Sequence, residues 1–370
     1  MGLSKYLRVL AAVSSLALVL AGCSSGASTT SATIKEVDIT NVVLTNLSGD
    51  CADYSASYQA EVKDLKRELS FVSQVDVSED SNSCTLTANA IPNYDFNDDT
   101  ANFADNVAET ALTLTIPRNP KIAANSTDLN LLTYNAVMLN GVVLDLLSNG
   151  CYKPDDAAAD KDGNIANGCG LNVDWRLDPM GKVKFGTDSH NAHTQPGGLY
   201  HYHGNPNALF DPEETDQGSP VIGFAADGFP IYGPHYIDDS TGKMLEAKSG
   251  YTLKVGSRPT ADSSPGGIYD GTYVQDYEFT DAGTLDKCNG MTINGQYGYY
   301  VTASYPNVMG CYSGTPDLSF FKFWDIAKWI IGGLIGLVIF VTGLVIWLVR
   351  RRRKKARSKL DNTEATGEKE

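Results

Sequence analysis

The sequence has no CxxC pair, no GxxxxGK[ST] loop and no HExxH, and past residue 34 it has no GxSxG. Zinc–cysteine clusters, nucleophile elbows, P-loops and zincin helices are excluded as motif-borne chemistries. No internal repeat is visible, and past residue 70 almost nothing follows an amphipathic helical period. Basic residues are scarce, with 29 Lys and Arg against 44 Asp and Glu, for a net charge of −15. Setting aside +2 on residues 1–22 and +5 on residues 350–370 leaves −22 on the stretch between them. That surface disfavours nucleic acid and anionic lipid as partners and suits cations.

The two ends are explicit. Lys5 and Arg8 precede an apolar run from Val9 to Val19, followed by Leu20-Ala21-Gly22-Cys23. This reads as a lipoprotein-type signal over 1–22 with Cys23 as the lipidated residue, followed by a small, polar, flexible tether over 23–34. At the other end, 329–349 is uncharged and apolar, long enough to span a hydrocarbon core of about 30 Å, and the basic run from Arg350 follows at once. Positive charge stays inside. The expected layout is an extracytoplasmic ectodomain (periplasm or cell surface), a connector over 315–328, a transmembrane helix over 329–349 and a cytoplasmic tail over 350–370.

Six cysteines remain after Cys23, an even number that suits disulfides outside the cytoplasm. Sequential pairing, Cys51–Cys84, Cys151–Cys169 and Cys288–Cys311, closes modest local loops. Ile39, Val42 and Leu44 give a weak strand signal. Tyr58, Val62, Leu65 and Leu69 recur at helical spacing and predict a small N-terminal helix, while 71–78 and 84–88 read as extended. From Leu112 onward short β-type runs recur at 112–117, 136–146, 199–203, 220–224, 251–255, 272–280 and 297–303, separated by Gly, Pro, Asn and Asp. The expected fold is mainly β, an antiparallel sandwich or barrel-like ectodomain. It divides into a disulfide-bearing subregion over 35–110 and a principal domain over 111–314.

All five histidines, His190, His193, His201, His203 and His235, fall within one short stretch. Pro196-Gly197 signals a turn, so the flanks form a hairpin. His201 and His203, two apart on a strand, share a face, and Tyr200 and Tyr202 take the other. One register sets His193 opposite His201; a one-residue shift sets His190 opposite His203. Three converging imidazoles suit copper or zinc and leave a ligand position open. The alternative is a packed His/Tyr ladder. Asp188 and Asp227 are candidate acids for ligation, second-sphere support or general-base catalysis; for Asp227 the alternative is a turn acid bonding its own backbone. Tyr200 and Tyr202 either shape the pocket or pack behind it. Asp160-Lys-Asp162-Gly-Asn164 resembles part of a calcium loop, but its Gly comes too early and the twelfth-position Glu is missing, so a solvated acidic turn is the preferred reading.

At Tyr200-His201-Tyr202-His203 the chain resembles the YHYH-domain family. Asn191 to Gly204, Ser219 to Gly233, and the Tyr269-Asp-Gly-Thr-Tyr273, Asp276-Tyr-Glu278 and Leu285 to Gly290 segments resemble its conserved blocks, with Ile91-Pro-Asn93 and Ile116 to Pro120 resembling upstream ones. The resemblance covers roughly residues 80 to 314. It implies that His193, Tyr200, His201, Tyr202, His203 and Asp227 are motif positions, and it carries no activity or ligand with it. The expectation is a membrane-anchored metal-binding protein. The alternatives are a metal-dependent hydrolase or copper oxidoreductase, and a metal-free binding or structural module.

Overall fold

The computed structural model describes residues 36–213, 217–323 and 341–350. The signal, Cys23, the tether, residues 324–328 and the tail beyond Arg350 therefore lie outside the described residues. Of the proposed span over 329–349, residues 341–349 are described, and they are helical. Among the described residues no helix is long and apolar enough to cross a membrane.

The first sheet contains β1 (Glu36–Asp38), β2 (Ala56–Asp64), β3 (Leu69–Glu79), β4 (Ser83–Ala88) and β5 (Leu112–Pro117) in that order. Alternation builds it. Ser73, Val75 and Val77 are buried in β3 while Gln74, Asp76 and Ser78 are exposed. Cys84 and Leu86 of β4 and Leu112, Leu114 and Ile116 of β5 point the same way. The helix expected around 58–69 is not formed: β2 and β3 pair antiparallel from Ala56↔Val77 to Asp64↔Leu69. A spacing of four is common to a helical turn and to two strand repeats, so Tyr58 and Val62 fit both. The residues between decide it. Ala60 and Asp64 are buried with Val62, whereas Leu65 and Leu69, required by a helical stripe, are exposed at the hairpin end.

The second sheet has eight strands: β6 (Ala136–Met138), β7 (Val143–Leu144), β8 (Ala192–Thr194), β9 (Tyr200–Tyr202), β10 (Val221–Ala225), β11 (Pro230–Tyr232), β12 (Gly290–Ile293) and β13 (Gln296–Tyr300). Their spatial order is β8-β9-β7-β6-β10-β11-β13-β12. Its central strands are apolar and buried on both faces, as continuous apolar runs predict. The two sheets share one core, in which Tyr54 meets Phe224 edge-on at 5.7 Å and Phe96 meets Tyr200 at 5.5 Å. Gly141 marks the closest approach: φ is +80°, and a Cβ there would lie 2.7 Å from side-chain atoms of Val75 and Ala88. Neither sheet closes into a barrel, and neither is purely antiparallel, because β1 runs parallel to β2, β9 to β7 and β11 to β13. Two of these parallel pairs, β9 with β7 and β11 with β13, join strands far apart in sequence, which hairpin signals do not disclose.

The three disulfides are the sequential ones, Cys51–Cys84, Cys151–Cys169 and Cys288–Cys311. The segment read as a connector docks on the domain as far as Phe323. Phe320 is fully buried, Tyr134 N–H donates to the Phe320 carbonyl at 2.9 Å, Lys322 N–H to that of Leu132 at 2.8 Å, and Thr115 N–H to the Ser319 hydroxyl at 2.8 Å.

The hairpin assignment predicts that Val62→Ala costs about 2 kcal/mol, for a lost buried side chain. Leu69→Ala should cost less than about 0.5 kcal/mol, since its site is solvent-facing. Denaturant unfolding measures both; equal, large losses would restore the helical stripe.

Candidate metal centre

The histidine site begins with a turn. Gly198 N–H donates to the Gln195 carbonyl at 2.9 Å, and Gly197 sits at φ +95°, the left-handed conformation that position three of a type II turn requires. Gly198, at φ +86°, lies where a Cβ would come within 2.7 Å of the Asn106 carbonyl oxygen and the Ala108 side chain. The turn fixes the register of β8 against β9 as His193↔His201, with Ala192↔Tyr202 and Thr194↔Tyr200. His203 continues the ladder, its N–H donating to the Asn191 carbonyl at 2.9 Å.

The imidazoles converge. His203 Nε2 lies 2.9 Å from His193 Nε2 and 3.1 Å from His201 Nε2, and all three ligand atoms fall within 4.8 Å of one another. Nitrogens bound to one tetrahedral ion at about 2.0–2.1 Å stand about 3.3 Å apart, so small ring adjustments bring the trio to ligand spacing. The far sides of two rings are committed: His193 Nδ1 faces the Phe185 carbonyl at 2.6 Å and His201 Nδ1 the Leu199 carbonyl at 3.2 Å. A carbonyl only accepts, so each Nδ1 carries the proton and each Nε2 presents a lone pair to the centre. His203 Nδ1 is buried with no partner in hydrogen-bond geometry. Burial pushes all three imidazoles below the ordinary histidine range, His201 to about 3 and His203 well down, with the neighbouring imidazoles adding to both. They are neutral at pH 7, the form that ligates metals.

The trio opens on a cavity of about 690 Å³ that is also lined by Asp145, Phe185, Gln195 and Lys322. Asp145 follows β7, the parallel neighbour of β9, and its N–H donates to the Tyr202 carbonyl at 2.9 Å. Its Oδ2 pairs with Lys322 Nζ at 2.5 Å. Burial raises the Asp145 pKa, and Lys322 opposes that shift. Sequence reasoning missed both residues. Asp145 had a signal, a lone acid inside the apolar run from Val142 to Leu147. Lys322 had none.

The other sequence candidates lie elsewhere. Tyr200 and Tyr202 do not line this cavity; they pack behind it, fully buried, against the first sheet's side of the core. Tyr202 hydroxyl contacts those of Tyr94, at 2.5 Å, and Asn140 Nδ2, at 3.0 Å. Tyr200 donates to Asp188 Oδ2 at 2.8 Å. Asp188 is therefore on the tyrosine side, where it also accepts from the His190 N–H, and burial raises its pKa. His190 is not a fourth member: in the observed register it leaves the trio and stacks on Tyr94 at 3.9 Å. Asp227 is a turn acid, accepting from Tyr299 hydroxyl at 2.6 Å, Gly314 N–H at 2.8 Å and Phe229 N–H at 3.4 Å. It does not border the histidine cavity. Asp160 also caps a turn, accepting from the N–H groups of Asp162 and Asn164, while Asp162 pairs with Lys161. That arrangement spends oxygens a calcium ion would need.

No curated protein and no solved structure matches the chain. The family model described as YHYH protein matches residues 113–314, more than half of the 370 residues and including every member of the imidazole trio. Strand β5 of the matched region pairs with β4 outside it, so one sheet spans the edge of the match. By this match the chain belongs to the YHYH protein family.

Proposed function

We propose that this protein binds one transition-metal ion, copper or zinc, through Nε2 of His193, His201 and His203, on the extracytoplasmic side of a membrane to which it is tethered. The carrying observation is the convergence of three Nε2 atoms whose rings are oriented by carbonyl oxygens behind two of them. Carbonyl-oriented imidazoles are the usual second sphere of a histidine metal site. Three disulfides support an oxidising compartment, and the two ends of the sequence support the tether.

A metal-free reading has one observation in its favour: separations of 2.9 and 3.1 Å also suit N–H···N hydrogen bonds. His203 would then carry its proton on Nε2. That proton can point at only one of the two neighbours. A cation engages all three lone pairs at once, whereas a single Nε2 proton serves only one, so the metal reading is preferred.

Elemental analysis of the purified full chain should find about one copper or zinc per molecule, as a three-imidazole site predicts. Both His193→Ala and the His201→Ala/His203→Ala pair should reduce this at least tenfold with an unchanged far-UV spectrum. His193 is only half-buried, so its variant guards against misfolding of the double one. Equal metal in the wild type and the His193→Ala variant rejects the site.

Acid should also weaken the metal-free fold. The trio's folded-state pKa values lie below the unfolded value of about 6.5, so the unfolded chain takes up protons first as pH falls. The stability linked to neutral imidazoles is intact above about pH 6.5 and is lost as the pH falls toward about 3. Thermal unfolding of chelated protein should show Tm declining below pH 6.5, with a shallower decline in His203→Gln. A decline of identical slope in the variant would assign the acid sensitivity elsewhere.

A further inference from the structure

We infer that Asp145, held by Lys322, is the fourth side chain of this centre and selects what occupies the metal's open position: a neutral hydrogen-bond donor, such as water, an alcohol or an amine, in preference to an anion. The inference rests on the metal reading above.

Asp145 is 4 % exposed and borders the same cavity as the three imidazoles. One of its oxygens, Oδ2, is taken by Lys322, and the other, Oδ1, is buried with no hydrogen-bond partner. A buried carboxylate oxygen without a donor is costly unless something donates to it. The cavity is where a donor can stand. The titratable groups lining it are His193, His201, His203, Asp145, Lys184 and Lys322. The imidazoles are spoken for by the ion, and Lys184 is at the exposed edge. Asp145 is thus, among the described residues, the one acceptor with negative charge on the cavity wall. It repels an anion, and it rewards a ligand that brings a proton.

Lys322 is a positioning residue. It comes from beyond the family-matched region, which ends at 314, on the segment anchored by Phe320 and by the Leu132 carbonyl. Its ammonium lies 5.2 Å over the Tyr134 ring, and its charge acts on His201 and His203 as well as on Asp145. It fixes one Asp145 oxygen, so that the other keeps its orientation, and it partly cancels the carboxylate's charge.

The two residues therefore have opposite effects on an anionic probe. In full-length protein reconstituted with Co(II), azide binding is followed by the visible spectrum, and Co(II) content by elemental analysis. Asp145→Asn should bind azide about tenfold more tightly than wild type, and Lys322→Met several-fold more weakly, on the scale of one charge removed near the ion. Lys322→Arg should restore wild-type affinity. One Co(II) per chain is expected in all four. A purely structural role would move both variants in the same direction. Azide affinities within twofold of one another, at full Co(II) loading, overturn the inference while leaving the metal site standing. Wild-type protein that takes up no Co(II) overturns the metal site itself, and this inference with it.

Discussion

The alternation of side chains along Tyr200–Tyr202 and on to His203 organises the site. In a strand, neighbours must point to opposite faces, so a sequence written aromatic, imidazole, aromatic, imidazole sorts itself into two chemically distinct layers. The tyrosines enter the shared core, where Tyr200, Tyr202 and Tyr94 exchange hydrogen bonds that a dry interior demands. The imidazoles take the outer face and open on the cavity. A one-residue slip would exchange the layers, placing tyrosines at the cavity and histidines among apolar rings. The turn at Gln195–Gly198 prevents that slip.

The tyrosine layer also accounts for how three imidazoles are held face to face. Burying three neutral imidazoles with their lone pairs facing one another is unfavourable by itself. The cost is met by a rigid floor: Tyr202 tied to Asn140 and Tyr94, Tyr200 tied to Asp188, and Phe96 packed against the Tyr200 ring. Asp188 and His190, which looked from sequence like members of the metal centre, belong to this floor. Their chemistry is positional, holding β9 in its register from behind. Asp227 does similar work further along the sheet, tying the β10–β11 turn to Tyr299 and to Gly314.

What the sequence disclosed was local. The Pro196-Gly197 turn, the shared face of His201 and His203, the run over 112–117 and the three sequential disulfides all depend on residues close in the chain, where geometry is fixed by a few dihedrals; which of two registers the hairpin takes was left open by the sequence and decided by the structure. The helix misread over 58–69 shows the limit of periodicity: Tyr58 and Val62 satisfy two periods at once, and only the burial of Ala60 and Asp64 separates them. The parallel pairings were illegible for a different reason. Nothing in Val143-Leu144 announces that it will lie beside His201-Tyr202, and nothing in Lys322 announces that it will reach Asp145 across 177 residues of chain.

That last pairing changes how the C-terminal segment should be regarded. A connector whose only task is to reach a membrane has no need of a fully buried Phe320, or of backbone bonds at Tyr134 and Lys322 to hold it in place. Here the segment delivers an ammonium group to Asp145, the one carboxylate that lines the imidazole cavity among the described residues. The sheet supplies the imidazoles, and the strap supplies the counter-charge. A truncation at residue 314 would retain the motif for which the family is named, yet it would leave Asp145 buried without its cation, a loss that is severe for any enclosed carboxylate. The site accordingly draws on chain from both sides of the matched region, Tyr94 and Phe96 before it and Lys322 after it.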